Sequence, residues 1–345
     1  MPPLTTPAPQ EERAPRLVTV PGGWFTMGSD EHYPEEALAH RVHVPDLEVG
    51  VTTVTNRQYE RFVAETGHVT VAEQAPDPAD YPGAPAEALV PGSVVFTGTR
   101  GPVDLTRPGQ WWRWVPGASW RHPEGPGSHI EDRLDHPVVH VAHADAAAFA
   151  EWAGLSLPTE AEWEHAARGG LEGAAYAWGD ELHPDGAVLA NTWIGRFPWL
   201  RTGPAGVPRT CAVGTFPPNG YGLHEVCGNV WEWTDTWYAP GHAPDGAAAP
   251  RAAPTPPCCA PAPRGPGEDE ARRREASYDP DQPEVRVPRR VLKGGSYLCS
   301  PDYCRRYRPA ARQPQTVDTG TSHLGFRCVR RPSRPAPHPS QEDQP

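Results

Sequence analysis

The chain is interrupted by 34 glycines and 46 prolines among its 345 residues, roughly twice ordinary usage. Proline removes a backbone donor and glycine costs conformational entropy, so both break helix interiors. Yet 13 residues are tryptophan, and chains that stay unfolded are usually poor in aromatics. The two facts together predict a loop-rich globular body with proline-rich, unstructured segments attached.

The formal net charge is −12. No Lys/Arg excess exists to neutralise phosphates, which argues against nucleic-acid binding. No apolar run approaches the roughly 18 residues of a membrane span. The start, MPPLTTPAPQEERAPR, has neither a basic n-region nor an apolar h-region, so the expected compartment is the cytoplasm. The seven cysteines are an odd number, and a full disulfide framework is not expected in that setting. Cys258 and Cys259 stand inside a proline-rich run, an odd place for a pure linker.

A body is expected over 17–330, with disordered tails at 1–16 and 331–345 and a mobile Pro/Ala/Arg-rich insertion at 239–285. LVTVPGGWFTMGS reads as strand, Gly-Gly turn, strand. Thr55 and Gln58 form a capping-box pattern opening a helix that Gly67 closes. Asp145 is expected to cap a second helix, ending near Gly154. Thr159 and Glu162 form another capping box, with Gly169-Gly170 as the stop. Beyond Arg168 helical periodicity disappears.

The sharpest chemical feature is Cys299-x-x-x-x-Cys304 within GGSYLCSPDYCRRYR. Two thiolates with no histidine or second cysteine pair nearby favour a soft, low-coordinate ion, and Cu(I) fits best. Arg305, Arg306 and Arg308 would help hold both sulfurs as thiolates. A structural disulfide or two unrelated buried thiols are the alternatives. Asn191, Glu225 and Glu232 lie in Gly- and Asn-rich segments, where hard oxygen donors suit Ca²⁺; turn stabilisation is the competing role. His40, His43, His122, His136 and His140 show no convincing ligand spacing. No G-x-S-x-G and no Gly-rich phosphate loop is present.

PGGWFTMGS, VTNRQYERFV, DHPVVHV, LPTEAEWEHAARGG, GNVWEWT, KGGSYLCSPDYCRRYRPAAR and LGFRC follow one another in an order that resembles the formylglycine-generating enzyme family, in a bacterial, actinobacterial-like style. The resemblance implies an α+β, C-type-lectin-like fold, low in regular secondary structure and stabilised by calcium. It implies a copper-dependent oxidase that uses O₂ to convert the cysteine of a Cys-x-Pro-x-Arg motif in an unfolded or nascent type I sulfatase to formylglycine. Cys299 and Cys304 match the Cu(I)-holding pair, with Ser296, Trp231 and Tyr303 beside them. One calcium site would use Asn191 with Thr192 and Val207; a second would use Glu225, Val226, Gly228, Val230 and Glu232. Ala205 stands where many relatives have an aspartate ligand. Cys328 matches half of a disulfide of secreted relatives, but Ala150 and Pro309 replace other cysteines, in keeping with a reducing cytoplasm.

Two other classes compete. A non-catalytic lectin-like module binding peptide or glycan would be expected to lose one of Cys299 and Cys304, and both are present. An iron-dependent sulfoxide synthase needs an N-terminal helical domain, for which about 16 residues leave no room. Nothing resembles a dimerisation helix, so a monomer is expected.

Overall fold

The computed structural model describes residues 15–86, 89–202, 209–242 and 266–332. Among these no helix exceeds 11 residues, as the breaker content requires. From the N-terminus come strands β1 (Leu17–Val20), β2 (Gly23–Met27), β3 (His40–Val44) and β4 (Leu47–Gly50), then helix α1 (Asn56–Thr66). The hairpin β5 (Gly92–Phe96) and β6 (Trp112–Pro116) precedes helices α2 (His143–Trp152) and α3 (Glu160–Arg168). The short pair β7 (Gly195–Arg196) and β8 (Leu200–Arg201) leads to β9 (Trp231–Trp237) and helix α4 (Pro266–Ala276). Strands β10 (Arg289–Lys293), β11 (Arg312–Thr316), β12 (Leu324–Gly325) and β13 (Val329–Arg330) complete the order.

The central sheet runs β11-β10-β9-β12, with β12 parallel to β9, and a second sheet runs β1-β4-β13. Strands β1 and β2 are not a hairpin. They part at Gly22 and pair with β4 and β3 respectively. A Cβ on Gly22 would sit 2.5 Å from the Asp46 nitrogen, while the Gly22 amide donates to Asp46 Oδ1 at 2.6 Å. The glycine is there because the β1–β2 link passes close to the β3–β4 connection.

Local rules set the helices. Thr55 Oγ1 accepts from Gln58 N, Gln58 Oε1 accepts from Thr55 N, and Gly67 ends α1 at φ 70°. Thr159 and Glu162 repeat the arrangement for α3, ended by Gly169 at φ 60°. For α2 the structure corrects the expectation: Ala142 is the N-cap, and Asp145 lies inside the first turn, accepting from the Ala142 amide at 2.9 Å. A carboxylate there satisfies a free donor and the helix dipole equally well.

A second correction concerns 239–285. Residues 243–265, with Cys258 and Cys259, lie outside the described residues, but 266–276 form α4. This helix is polar all round, so it leaves no amphipathic signal to detect. Charge placement favours it, with Glu268 and Asp269 in the first turn and Arg273 and Arg274 in the last. Trp237 Nε1 donates to Glu270, and Arg289 grips the carbonyls of Ser277 and Tyr278 just beyond the helix.

One apolar cluster joins α1, α2 and the central sheet through Tyr59, Phe149, Trp231, Trp233 and Phe326, and it contains Cys299, Cys304 and Cys328. Helix α3 is tied to the sheet by its charges. Glu160 pairs with Arg312 at 2.7 Å, Glu164 with Lys293 at 2.8 Å and Arg168 at 2.7 Å, and Trp163 Nε1 donates to Glu232 at 2.7 Å. Burial would push the Glu164 carboxyl up, but Lys293 and Arg168 outweigh it and bring it down to about 2.

Candidate functional site

Strand β10 ends at Lys293, whose buried ammonium is held by Glu164 and by the Ala310 carbonyl at 3.2 Å. This anchor fixes where the next loop begins. Gly294 and Gly295 then take φ of 94° and 73°. A Cβ on Gly295 would lie 2.7 Å from the Arg306 carbonyl oxygen, so glycine is needed for the loop to fold back on CRRYR. The Ser296 Oγ accepts from Leu298 N at 3.2 Å, and the Ser296 carbonyl accepts from Cys299 N at 2.9 Å. A second turn is closed by Cys304 N donating to the Ser300 carbonyl at 2.8 Å. The two turns bring Cys299 Sγ to 3.3 Å from Cys304 Sγ. Both are buried, free thiols.

The pair is electrostatically lopsided. Burial, reinforced by the neighbouring sulfur, pushes Cys299 well above the usual thiol range. Cys304 is brought down, chiefly by the hydrogen bond from Cys299 and then by Arg306, whose Nη1 lies 3.8 Å from its sulfur. Of the two sulfurs, Cys304 is therefore the one that loses its proton more readily. This corrects the expectation that Arg305, Arg306 and Arg308 together help hold both sulfurs as thiolates; of the three, Arg306 alone has a nitrogen near a sulfur. Arg305 donates instead to the Tyr176 hydroxyl at 2.8 Å, and Arg308 pairs with Glu36. Arg306 is itself held by Glu35 at 2.6 Å and lies 3.9 Å from the Tyr33 ring centroid.

The sulfurs open onto a cavity of about 160 Å³. Ser296, Trp231, Tyr303, Cys299 and Cys304 all line it, so the five residues expected at the reaction centre share one space. Trp231 arrives at the start of β9, and the loop before it is pinned to the cysteine loop by Gly228 N to Gly294 O (2.9 Å) and Tyr297 N to Asn229 O (3.0 Å). Tyr303 stands at the rim, 37 % exposed, stacked flat on Phe197 at 4.5 Å and edge-on to Trp111 at 5.4 Å.

Trp111, Phe197, Gln313 and His323 were not expected in this wall. His323 Nδ1 meets Thr321 Oγ1 at 2.6 Å, and its ring lies 4.8 Å from Trp112. It stands directly before Leu324 in the quoted LGFRC stretch, which was its one available signal. Tyr33 and Glu35, far away in sequence, left none.

The remaining described cysteines do not join the pair. Cys227 and Cys328 pack in apolar clusters, and burial pushes both thiols up, Cys227 to about 12. Cys211 is likewise raised by burial, to about 11. His140 bridges Ser93 Oγ and the Pro123 carbonyl, both at 2.8 Å. No cluster of three or more His, Cys, Asp or Glu suited to a metal occurs among the described residues. Two thiols that converge on one point do suit a soft ion, and Cys299 and Cys304 meet that test.

Among the expected calcium ligands, the side-chain oxygens of Asn191, Glu225 and Glu232 and the Thr192 carbonyl have partners within the protein. Asn191 Oδ1 and the Thr192 carbonyl both accept from Arg201 Nη2, at 3.0 and 3.4 Å. Glu225 accepts from Gly214 N at 2.9 Å and Phe216 N at 3.0 Å, one amide on each oxygen. Glu232 accepts from Arg327 on both oxygens, at 2.6 and 2.7 Å, and from Trp163. Val226 and Val230 are buried apolar residues, while Val207 lies outside the described residues, as does Ala205.

Residues 3–332 match the family model described as the sulfatase-modifying factor enzyme 1-like domain. The chain belongs to that family. It is 52 % identical over 316 residues to the formylglycine-generating enzyme of Mycobacterium tuberculosis, covering 92 % of this chain and 98 % of that protein. It is also 34 % identical to the inactive C-alpha-formylglycine-generating enzyme 2 of Mus musculus, covering 93 % of this chain and 87 % of that protein. Family membership alone therefore does not decide activity. Among solved structures, PvdO from Pseudomonas aeruginosa matches with a TM-score of 0.57 at 20 % identity, covering 92 % of this chain and 95 % of that one. That likeness carries the fold, an α+β arrangement of few helices and many short strands.

Proposed function

We propose that this protein is a copper-dependent oxidase that converts the cysteine of a Cys-x-Pro-x-Arg motif in type I sulfatases to formylglycine. The observation that carries the reading is the Cys299–Cys304 pair, two free sulfurs 3.3 Å apart at a cavity walled by Ser296, Trp231 and Tyr303. The relative in Mycobacterium tuberculosis, at 52 % identity, bears the name of that activity.

Copper(I) held by Cys299 and Cys304 would supply the chemistry with O₂. The rest falls to the chain. Converting R–CH₂–SH and O₂ to an aldehyde, H₂S and water requires two further electrons and two protons, so a thiol reductant belongs in the reaction. The cavity is large enough for one small side chain, and Trp111, Trp231 and Phe197 form part of its wall. Tyr303, backed by the buried Phe197 on which it stacks, offers an exposed aromatic edge against which an extended peptide can lie. Arg306 faces the Cys304 sulfur and favours its thiolate, and Glu35 fixes its direction. Position and electrostatics are the protein's share.

The client is an unfolded or nascent sulfatase polypeptide, because the target cysteine must reach a buried pair. The five described cysteines are free thiols, which supports action in a reducing cytoplasm. No described helix is long and apolar enough to cross a membrane. In this reading the protein acts as a monomer.

Titrating the reduced protein with Cu(I) against a competing chelator tests the site. One equivalent should be retained, and none in Cys299→Ser or Cys304→Ser. Retention by both variants would move the metal elsewhere and remove the basis of the reading.

A further inference from the structure

We propose that Gln313 and His323 bind the main chain of the client beside its target cysteine, so that the residue drawn into the cavity is held by its own peptide groups. The inference rests on the reading that a client cysteine enters this cavity. A cysteine brings a methylene and a thiol that is only a weak donor and acceptor. The strong hydrogen-bonding groups that enter with it are its backbone carbonyl and amide. Burying those without partners is costly, so the wall needs polar groups left free to meet them.

Two wall residues have such groups. Gln313 stands in β11 opposite Leu292 of β10, next to Lys293, from which the cysteine loop departs. Its carboxamide offers both a donor and an acceptor, and it makes no hydrogen bond among the described residues.

His323 is held rigidly by its surroundings. Its carbonyl accepts from Trp231 N at 2.9 Å, while Ser322 donates its amide to the Val94 carbonyl at 3.1 Å and accepts from Phe96 N at 3.1 Å. Nδ1 meets the hydroxyl of Thr321, which is buried and has no other side-chain partner among the described residues. The hydroxyl proton therefore points at Nδ1, and these partners assign the ring proton to Nε2. Burial, with His140 adding, pushes the imidazole down to about 3, so it stays neutral and keeps that tautomer. The Nε2–H donor has no acceptor among the described residues and is not sealed inside the protein. With Nδ1 turned to Thr321, the opposite edge of the ring is the one that meets the cavity. Among the described residues His323 does not join the two cysteines as a ligand set, so the donor is free for the client. Partners of this kind read no side chain, which leaves the residue after the target cysteine open, as Cys-x-Pro-x-Arg is written.

The test uses the full chain, reduced and copper-free, and a peptide with serine at the target position. Calorimetry gives Kd for this peptide and for two analogues with an ester in place of the peptide bond before or after the serine. The parent should bind at least one ester about three- to tenfold more weakly. Folded His323→Ala and Gln313→Ala should bind the amide peptide more weakly by a similar factor and lose discrimination against an ester. His323→Gln, which keeps an N–H donor, should recover part of the affinity. Parent-like affinity in both alanine variants, or an ester penalty that persists in both, would overturn the proposal. Turnover of the cysteine peptide with Cu(I) separates this inference from the oxidase reading. A parent that binds the peptide with the ester penalty but never oxidises it would sink the oxidase reading alone. A parent that turns over, with KM unchanged in both alanine variants, would sink this inference alone. A parent that binds no peptide would overturn both.

Discussion

The Arg308 guanidinium and the Glu36 carboxylate meet in a two-pronged ion pair at 2.8 and 2.5 Å, with both side chains almost wholly out of water. The pair fastens the chain four residues past Cys304 to the short turn Pro34–Glu36. Glu35, in the same turn, holds Arg306 against the Cys304 sulfur. A segment more than 260 positions away in sequence thus sets the charge beside the thiol pair.

Removing Glu36 should be costly. Glu36→Ala leaves Arg308 buried and unpaired, a situation that costs about 3–5 kcal/mol. Urea unfolding should show that loss as a lower midpoint at unchanged slope. A loss under about 1 kcal/mol would mean that solvent reaches the pair.

The cysteines should behave in the opposite way. Cys299→Ser and Cys304→Ser remove sulfurs that line a cavity, without emptying the core around them. Tm should stay within a few degrees of wild type while Cu(I) binding and turnover disappear. Gross unfolding would make them structural residues.

Gly295→Ala tests the loop geometry. Its Cβ would meet the Arg306 carbonyl at 2.7 Å, at a φ of 73° that side chains rarely adopt. The expected cost is about 1–3 kcal/mol, with a larger fractional loss of turnover, because the Ser296–Cys299 turn begins there. Circular dichroism melts and peptide turnover check the two parts separately.

Acid should destabilise the fold early. Burial lowers His140 to about 4, so the folded protein keeps it neutral. The unfolded chain binds that proton from about pH 6.5, so stability is fully present above 6.5 and declines as pH falls toward 4. The slope is about 1.4 kcal/mol per pH unit, on the order of 3 kcal/mol in all. His140→Asn, which tolerates the φ of 59° found there, should flatten this stretch of the stability curve. An unchanged slope would assign the loss to other groups.

The sequence announced what depends on neighbours along the chain. Capping boxes at Thr55 and Thr159, glycine stops at Gly67 and Gly169, and the five-residue step from Cys299 to Cys304 are local, and the structure contains each of them. Asp145 was misplaced by three positions because a carboxylate can serve a helix start from the cap or from the first turn. Helix α4 was invisible because it lacks an apolar face. Tyr33, Glu35 and Trp111 could not be assigned to their sites, since their partners come from distant loops. Charged residues in TEAEWE read only as a family mark, whereas the structure gives each glutamate a guanidinium or ammonium partner.

The central claim is that Cys299 and Cys304 support oxidation of a client cysteine. The most direct measurement loads the reduced protein with Cu(I), adds a peptide containing Cys-x-Pro-x-Arg with a thiol reductant in air, and follows peptide mass. The account predicts loss of the thiol and gain of an aldehyde, abolished in Cys299→Ser. An unchanged peptide, with copper bound to both sulfurs, would contradict it and identify a binding protein.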